Sequence, residues 1–380
     1  MKLRLSDIYE LQMGKTPARN MPEFWNGTNA WVSISDLTQN SKYISQTKEC
    51  ITDEAVSRTN IKKVPKDTLL MSFKLSLGKV AITATDIYTN EAIMAFIDKK
   101  VHDVDIHFMY HYFQAIDWTI GTNKAVKGIT LNKSSLSEKV IELPPIQIQR
   151  KIAEHLDKMS AVEENIQCQL SLFDKLVKSQ FVEMFGDPVT NPMGWERARL
   201  ADKCEIVTGN TPSRKVKEYY GKDLEWVKSD NITEATTLTE ATEYLSDEGA
   251  KVGRTVETGS ILMTCIAGSL RSIGNVAIVD RKVAFNQQIN AIVPKKQNTY
   301  FMYEQFRLSK DYICSGINMA LKGILSKGQL SEIEFVFPPL TLQNEFAAFV
   351  EQVDKSEFLL RQLLEKQQTL KKALMQEYFS

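Results

Sequence analysis

The second half of this chain repeats the first, and this repeat limits the possible folds more than any other feature of the sequence. Gly14–Arg19 reads Gly-Lys-Thr-Pro-Ala-Arg, and about 195 residues later Gly209–Arg214 reads Gly-Asn-Thr-Pro-Ser-Arg. Other segments keep nearly the same offset: Trp31–Asp36 with Trp226–Asp230, Gly78–Ile82 with Gly274–Ile278, Ala125–Ile129 with Ala320–Ile324, and Leu143–Gln149 with Phe337–Gln343. Chance similarity does not hold one register over so many blocks, so we interpret the chain as two copies of one structural unit.

Each copy is predicted to contain a strand-rich domain followed by one long helix. Short apolar runs such as Thr68–Phe73 and Ser260–Cys265 lie between turn residues, as strands do. A short helix is expected near residues 105–118 and 300–308, and paired prolines then mark the start of each long helix. We predict an α+β fold with this order: first domain 1–144, first long helix 145–186, second domain 187–338 with a linker at 187–194, second long helix 339–380.

Both long helices carry apolar residues at steps of three and four, the spacing of a coiled-coil seam. The seam residues are Ile152, Leu156, Met159, Ile166, Leu170, Phe173 and Val177 in the first helix, and Phe346, Val350, Val353, Leu360, Leu364, Leu370 and Leu374 in the second. Glu163 and Glu357 interrupt the two seams at equivalent positions, and each either faces the partner helix or lies at the seam edge. A small domain cannot bury a stripe about 60 Å long, so we expect the helices to pair as an antiparallel coiled coil with pseudo-two-fold symmetry, which matches duplex DNA.

Composition narrows the class of protein. The 47 basic and 47 acidic residues cancel, so any attraction to nucleic acid has to come from local clusters. The five cysteines are scattered and odd in number, which argues against a disulfide framework and for a reducing compartment. No signal peptide or membrane-spanning run is recognisable, so we expect a cytoplasmic protein.

Basic residues do cluster locally, and they recur at matching positions of the repeat. Phosphates are bound by Lys and Arg, and base edges are read by Arg, Lys, Asn, Gln and Ser on loops. Solvated surface charge is the ordinary alternative for any one such loop. The predicted DNA contacts are Lys15, Thr16, Arg19, Lys74 and Lys127 in the first copy, and Thr211, Ser213, Arg214, Lys228, Ser229, Arg271 and Lys322 in the second.

These motifs, taken together, resemble the specificity subunits of type I restriction-modification systems over nearly the whole chain. The resemblance is carried by Gly209–Arg214, Tyr219–Gly221, Trp226–Asp230, Lys322–Ile324, Leu143–Ile152 and Phe181–Pro188. It implies two target-recognition domains that read a split, asymmetric DNA site, joined by paired helices. It also implies docking of two methyltransferase subunits and of motor-nuclease subunits. The first copy departs from the pattern at Ala18, where a polar residue is common.

Catalytic motifs are not recognisable. Gly14-Lys15-Thr16 mimics part of a phosphate-binding loop, but Tyr9 stands where that motif needs glycine. His107 and His111 have the spacing of zinc ligands on a helix, yet Tyr300 and Glu304 replace them in the second copy, which favours packing. We therefore expect a non-catalytic subunit without a cofactor or metal of its own; S-adenosylmethionine, ATP and Mg²⁺ would bind to its partners.

Two other interpretations can be weighed against this one. A restriction enzyme active alone would need a fused methyltransferase or nuclease motif, and we find none in the sequence. A coiled-coil scaffold that binds proteins without reading DNA sequence is the remaining alternative.

Overall fold

The computed structural model describes residues 1–38, 42–74, 76–118, 131–317 and 323–379. It contains two compact units: residues 1–166 with 363–380, and residues 167–362. Each unit combines one strand-rich domain with a part of both long helices, so the predicted division into domains and helices is not the same as the division into compact units.

The first domain is built on a five-stranded sheet. Its strands, in spatial order, are Tyr9–Met13, Ile93–Asp98, Leu69–Ser72, Val80–Thr83 and Tyr43–Ile44. A three-stranded sheet (Glu49–Ile51, Trp25–Val32, Tyr88–Thr89) and the pair Lys2–Arg4 with Val140–Glu142 complete it, with helices Leu5–Ile8, Asp53–Thr59, Ile106–Ala115 and Lys133–Ser137. The central strand is buried on both faces: Leu69 and Met71 enter one core cluster and Leu70 enters another, as the two-residue period of a strand requires.

The second domain repeats this plan. One sheet has the order Cys204–Thr208, Ile289–Pro294, Ile261–Thr264, Val276–Ile278, and the other has the order Tyr244–Leu245, Tyr220–Val227, Val283–Phe285, Thr255–Val256. Two short pairs join Arg197–Arg199 to Glu334–Val336 and Ile266–Ala267 to Gly323–Ile324, and the helices are Leu200–Lys203, Asp247–Val252, Thr299–Leu308, Lys310–Cys314 and Lys327–Glu332. Ile261 and Met263 face one core and Leu262 the other, so the burial pattern of the first domain recurs.

A buried glutamine joins each domain to the start of a long helix. The side-chain oxygen of Gln149 accepts a hydrogen bond from the N–H of Asp105, the N-cap of helix Ile106–Ala115, at 2.9 Å. Gln343 does the same for Asn298, the N-cap of helix Thr299–Leu308, also at 2.9 Å. Because both glutamines are 1% exposed and bonded, each fixes the direction in which its domain helix leaves the long helix.

The long helices run over Ile146–Phe185 and Leu340–Phe379, 40 residues each, and they pair antiparallel. In the first unit, Lys371 donates to Glu163 at 2.7 Å, and Tyr378 lies farther along beside His155. Glu163 therefore faces the partner helix and does not lie at the seam edge, the other position that the sequence allowed.

The predicted seam needs one correction. Leu370 is 52% exposed, whereas Leu364 and Leu374 are half-buried. Heptad spacing between those two leucines puts Lys371 on the inner face, one position beyond Leu370. In the second unit the seam ends in an aromatic cluster, in which Phe181 and Phe185 pack edge-on against Phe346.

Candidate nucleic-acid interface

The Gly-x-Thr-Pro turn of each domain lies directly against the turn that precedes a sheet strand. A Cβ atom on Gly14 would lie 2.1 Å from the carbonyl oxygen of Thr89, and one on Gly209 would lie 2.2 Å from that of Asn286. Real Cβ atoms do not approach so closely, so only glycine permits this contact. The repeated glycine is thus explained by packing between two backbone segments and not by phosphate binding.

The threonine of each turn donates a side-chain hydrogen bond to a residue that the sequence analysis did not identify. Thr16 donates a hydrogen bond to Glu91, and Thr211 donates one to Gln287. Both acceptors are on exposed residues, and each follows an asparagine at the same position of the repeat. The repeat of this Asn-Glu or Asn-Gln pair at equivalent positions could have identified both acceptors from the sequence.

The residue after each such pair, Ala92 or Gln288, anchors the loop that joins two neighbouring antiparallel strands of the main sheet. Phe73 donates its backbone N–H to the carbonyl oxygen of Ala92 at 3.0 Å, and Cys265 donates to that of Gln288 at 2.8 Å. The threonine turn and the beginning of the strand-connecting loop are therefore adjacent in both domains.

Lys74 and Arg271, both predicted contacts, lie on these strand-connecting loops. The half-buried Lys74 places its ammonium 5.2 Å from the ring centre of Phe73. Arg271 is exposed, and its backbone carbonyl accepts a hydrogen bond from the Lys310 ammonium at 2.6 Å. Within the part of the chain that the structure describes, no carboxylate pairs with either side chain. Their charges are available to an anion.

A further strand pair lies beside the Arg271 loop. Ala267 is opposite Gly323 in an antiparallel pair, so the motif that begins at Lys322 ends next to this loop. Lys322 itself, and Lys127 of the first domain, lie outside the described residues.

Arg19 is held by an aromatic and acidic clamp. Its guanidinium carbon lies 3.9 Å from the ring centre of Trp25 and 5.1 Å from that of Trp31. Its Nη2 donates to Glu49 at 3.0 Å, and these hydrogen bonds raise the pKa of Arg19. The Arg19 guanidinium therefore has an acidic partner within its own domain, although the side chain remains 54% exposed.

Arg214 is held by an equivalent clamp in the second domain. It lies 4.6 Å from the ring centre of Tyr220 and 5.0 Å from that of Trp226, and pairs with Glu243 at 2.6 Å. Lys228 also bonds Glu243, and the two cations hold the pKa of that carboxyl below its usual value. The sequence located both arginines but not their acids, which come from distant segments.

The remaining predicted contacts differ in their surroundings. The Lys15 ammonium donates to the Thr59 carbonyl oxygen at 2.6 Å. Ser213 is exposed beside Arg214, whereas Ser229 is half-buried at the start of a short 3-10 turn. Among the described residues, the predicted cations thus fall into two classes: those held by internal partners and those on the strand-connecting loops.

The histidine pair does not converge on one point. His111, 1% exposed, contacts Asp157 through Nε2 at 2.7 Å, and burial lowers its pKa to about 4. His107 instead approaches the hydroxyl of Tyr43 through Nδ1 at 3.3 Å. This geometry agrees with the packing role that the sequence favoured.

Comparison with known proteins decides the family. A model of the type I restriction modification DNA specificity domain matches residues 1–171 and 192–370. The chain belongs to this family. It is 25% identical over 376 residues to the MjaIX specificity subunit of Methanocaldococcus jannaschii, covering 92% of this chain and 85% of that one.

Solved structures show the same fold. A structure concerning assembly and conformational transition of the type I R-M system has 14% identity and a TM-score of 0.66, covering all of this chain and 97% of that one. The S subunit from M. genitalium has 14% identity and a TM-score of 0.57, covering all of this chain and 96% of that one. Family and fold together make this chain a specificity subunit with two DNA-recognition domains. In the described residues, no helix is long and apolar enough to cross a membrane.

Proposed function

We propose that each domain reads one half of an asymmetric, bipartite DNA site, and that the chain performs no chemistry itself. The observation that carries this proposal is the repeated scaffold of threonine turn and strand-connecting loop. It carries Lys74 in one domain and Arg271 in the other, and neither charge is answered by a carboxylate in the described residues. Cations on loops suit phosphates and base edges. Because the loop residues differ between the copies, the two half-sites are expected to differ.

The other predicted contacts are proposed to support these loops. Thr16, Thr211, Lys15 and Ser213 lie on the threonine turns, and Arg19, Arg214, Lys228 and Ser229 belong to the clamps and the adjoining turn. Lys127 and Lys322 remain predicted contacts from the sequence.

The partner subunits are proposed to supply the chemistry in the cytoplasm. Two methyltransferase subunits would use S-adenosylmethionine to methylate adenine, and motor-nuclease subunits would use ATP and Mg²⁺ for cleavage. Exposed apolar side chains on the long helices support docking there: Leu172 (49%), Leu176 (45%), Phe358 (60%) and Leu359 (63%). Exposed apolar patches of this kind mark protein interfaces.

Methylome sequencing of cells that carry this chain and its methyltransferase tests the proposal. Replacing residues 187–337 with the second domain of another family member should change one half of the methylated motif only. Methyl transfer by the purified chain alone would contradict the non-catalytic assignment. Binding to the methyltransferase without any sequence preference would favour the scaffold alternative.

Single substitutions separate base reading from phosphate binding. If Arg271 contacts a base, Arg271→Ala should cost about 1–3 kcal/mol and relax one position of one half-site. If it contacts only phosphate, affinity should fall evenly across sequences and the salt slope should decrease by about one. Lys74→Ala makes the same test in the first domain, and Lys295→Ala, an exposed lysine outside the loops, is the control.

A further inference from the structure

A groove of about 1510 Å³ lies in the second unit, and all of its lining residues fall within 167–362. Part of its apolar wall comes from both long helices and from the helix Thr299–Leu308: Leu170, Phe173, Val177, Val350, Val353 and Tyr303. The groove is much larger than one side chain, and its apolar wall suits a protein segment better than a small polar ion.

Two carboxylates of the second long helix line this groove. Asp354 has no ion-pair or hydrogen-bond partner among the described residues. Glu357 has only Arg361, one turn along its own helix, at 2.9 Å. Burial, together with the nearby charges of Glu357 and Glu351, raises the pKa of Asp354. Four cations of other segments also line the groove, but none of them pairs with Asp354 or Glu357 in the described residues: Lys178, Arg271, Arg307 and Lys310.

A second acceptor in the groove wall also lacks a donor. Glu304 is 1% exposed, and its Oε2 accepts from Arg307 at 2.9 Å. Its Oε1 is buried without a hydrogen-bond partner in the described structure. Buried oxygens of this kind are ordinarily paired, so an unpaired one that lines a groove indicates a missing donor.

The first unit shows what fills the equivalent place. Lys371 extends its ammonium between the two helices, 2.8 Å from the hydroxyl of Ser160 and 2.7 Å from Glu163. Shifted by the repeat offset of the helices, Ser160 and Glu163 correspond to Asp354 and Glu357. Lys371 corresponds to Val177, which lines the groove. The second unit thus keeps the glutamate, has an aspartate in place of the serine, and lacks the lysine at this position.

We propose that this groove binds a lysine side chain of a partner protein, with its ammonium between Asp354 and Glu357 and its apolar neighbours against the groove wall. The proposal rests on the proposed function, in which the partner is the methyltransferase subunit. The Glu304 oxygen offers a further acceptor to a polar group of the same segment. Charge complementarity and the Lys371 arrangement of the first unit both specify an ammonium group.

Titration of the full-length chain with the purified cognate methyltransferase tests the groove. Asp354→Lys places an ammonium group of the chain itself in the groove, where it should repel the partner lysine and weaken binding at least tenfold. Glu365→Lys is the matched control, since it makes the same charge change at an exposed position of the same helix and should alter the Kd less than twofold. Asp354→Asn removes the charge with little change of shape and should weaken binding severalfold.

Carbodiimide crosslinking gives a readout that a structural role would not move. Coupling the wild-type complex should join Asp354 or Glu357 to a methyltransferase lysine, and the double variant Asp354→Asn, Glu357→Gln should lose that crosslinked peptide. Unchanged affinity of Asp354→Lys and Asp354→Asn, equal weakening by both lysine variants, or crosslinks only elsewhere would overturn the proposal. A wild-type chain that does not bind the methyltransferase at all would instead overturn the proposed partner.

Discussion

The two recognition domains contact the long helices through equivalent buried glutamines, Gln149 and Gln343, but through different buried titratable groups. We call each of these contact regions, between the domain helix and the long helix, a joint. His111 and Glu304 occupy equivalent repeat positions, and each is 1% exposed. In the first unit, His111 and Lys42 both bond Asp157. In the second unit, Arg307 bonds Glu304 and also Asp174. One scaffold therefore tolerates a buried base in one copy and a buried acid in the other.

This difference shows that the acid at each joint is paired with a cation from a different segment of the chain. The counterpart of Lys42 in the second domain is Thr236, and the counterpart of Arg307 in the first is Gln114. The cation thus comes from a loop in one unit and from the domain helix in the other. A buried charge without such a partner is costly, so the acid and its cation have to change together.

Removing the cation of the second joint should have the largest effect. Arg307→Ala leaves Glu304 buried without an opposite charge, which should cost about 3–5 kcal/mol of local stability. Gln114→Ala, at the exposed equivalent position of the first domain, should cost less than about 0.5 kcal/mol. Hydrogen exchange of peptides from residues 299–308 and 106–115 measures each joint separately. Equal protection in both variants would show that the Arg307 network does not stabilise the joint.

Much of the fold could be predicted from the sequence, because apolar periodicity is a local pattern and the repeat aligns the two copies in one register. The central strands, the short domain helix and the paired long helices follow from apolar spacing, and the structure confirms them. The clamp acids could not be predicted, because Glu49 is 30 residues from Arg19 in the chain and only the fold brings them together. Leu370 was misassigned because apolarity outweighed heptad spacing at a position where the seam uses Lys371.

Acid should separate the two joints by opposite pH dependence. The pKa of His111 is lowered from 6.5 to about 4 by burial, so between these values the unfolded chain binds more protons than the folded one. Stability of the first joint should therefore fall as the pH drops from about 6.5 towards 4, by up to about 3 kcal/mol. Burial outweighs the hydrogen bond to the Asp157 carboxylate, which raises the pKa of His111, and the nearby charges of Lys42 and Lys371 lower that pKa further.

Burial raises the pKa of Glu304 despite Arg307, so in the second joint the folded state binds more protons than the unfolded one. The stability of the second joint should therefore fall as the pH rises above 4.5, whereas that of the first joint should rise with pH. Hydrogen exchange between pH 5 and 7, corrected for intrinsic rates, measures both joints in one sample. His111→Gln should abolish the first trend and Glu304→Gln the second. A shared sign in the wild-type chain would contradict the contrast.

The cross-helix ion pair should show a smaller effect. Lys371 and Glu163 are 19% and 14% exposed, so Lys371→Met leaves a mostly buried carboxylate without its cation. Breaking a buried pair costs several kcal/mol, and the remaining exposure reduces this to about 1–3 kcal/mol. Adding Glu163→Leu should recover most of the loss, because two apolar side chains suit the seam. Exchange of peptides around residues 156–170 measures it, and an additive loss in the double variant would mean that the pair is not coupled.

The smallest effect is expected at the equivalent position of the second helix. Glu357 bonds Arg361 four residues along the same helix, and the arginine side chain is 63% exposed. Such pairs contribute about 0.3–0.5 kcal/mol, so Arg361→Met should barely change exchange near residues 350–361. The same substitution should nevertheless leave the Glu357 carboxylate in the groove without its neighbouring cation. A large loss of protection there would mean that Arg361, and not a partner, already neutralises the acids of the second unit. Little loss would leave Asp354 and Glu357 as the half of an ion pair that the first unit completes with Lys371.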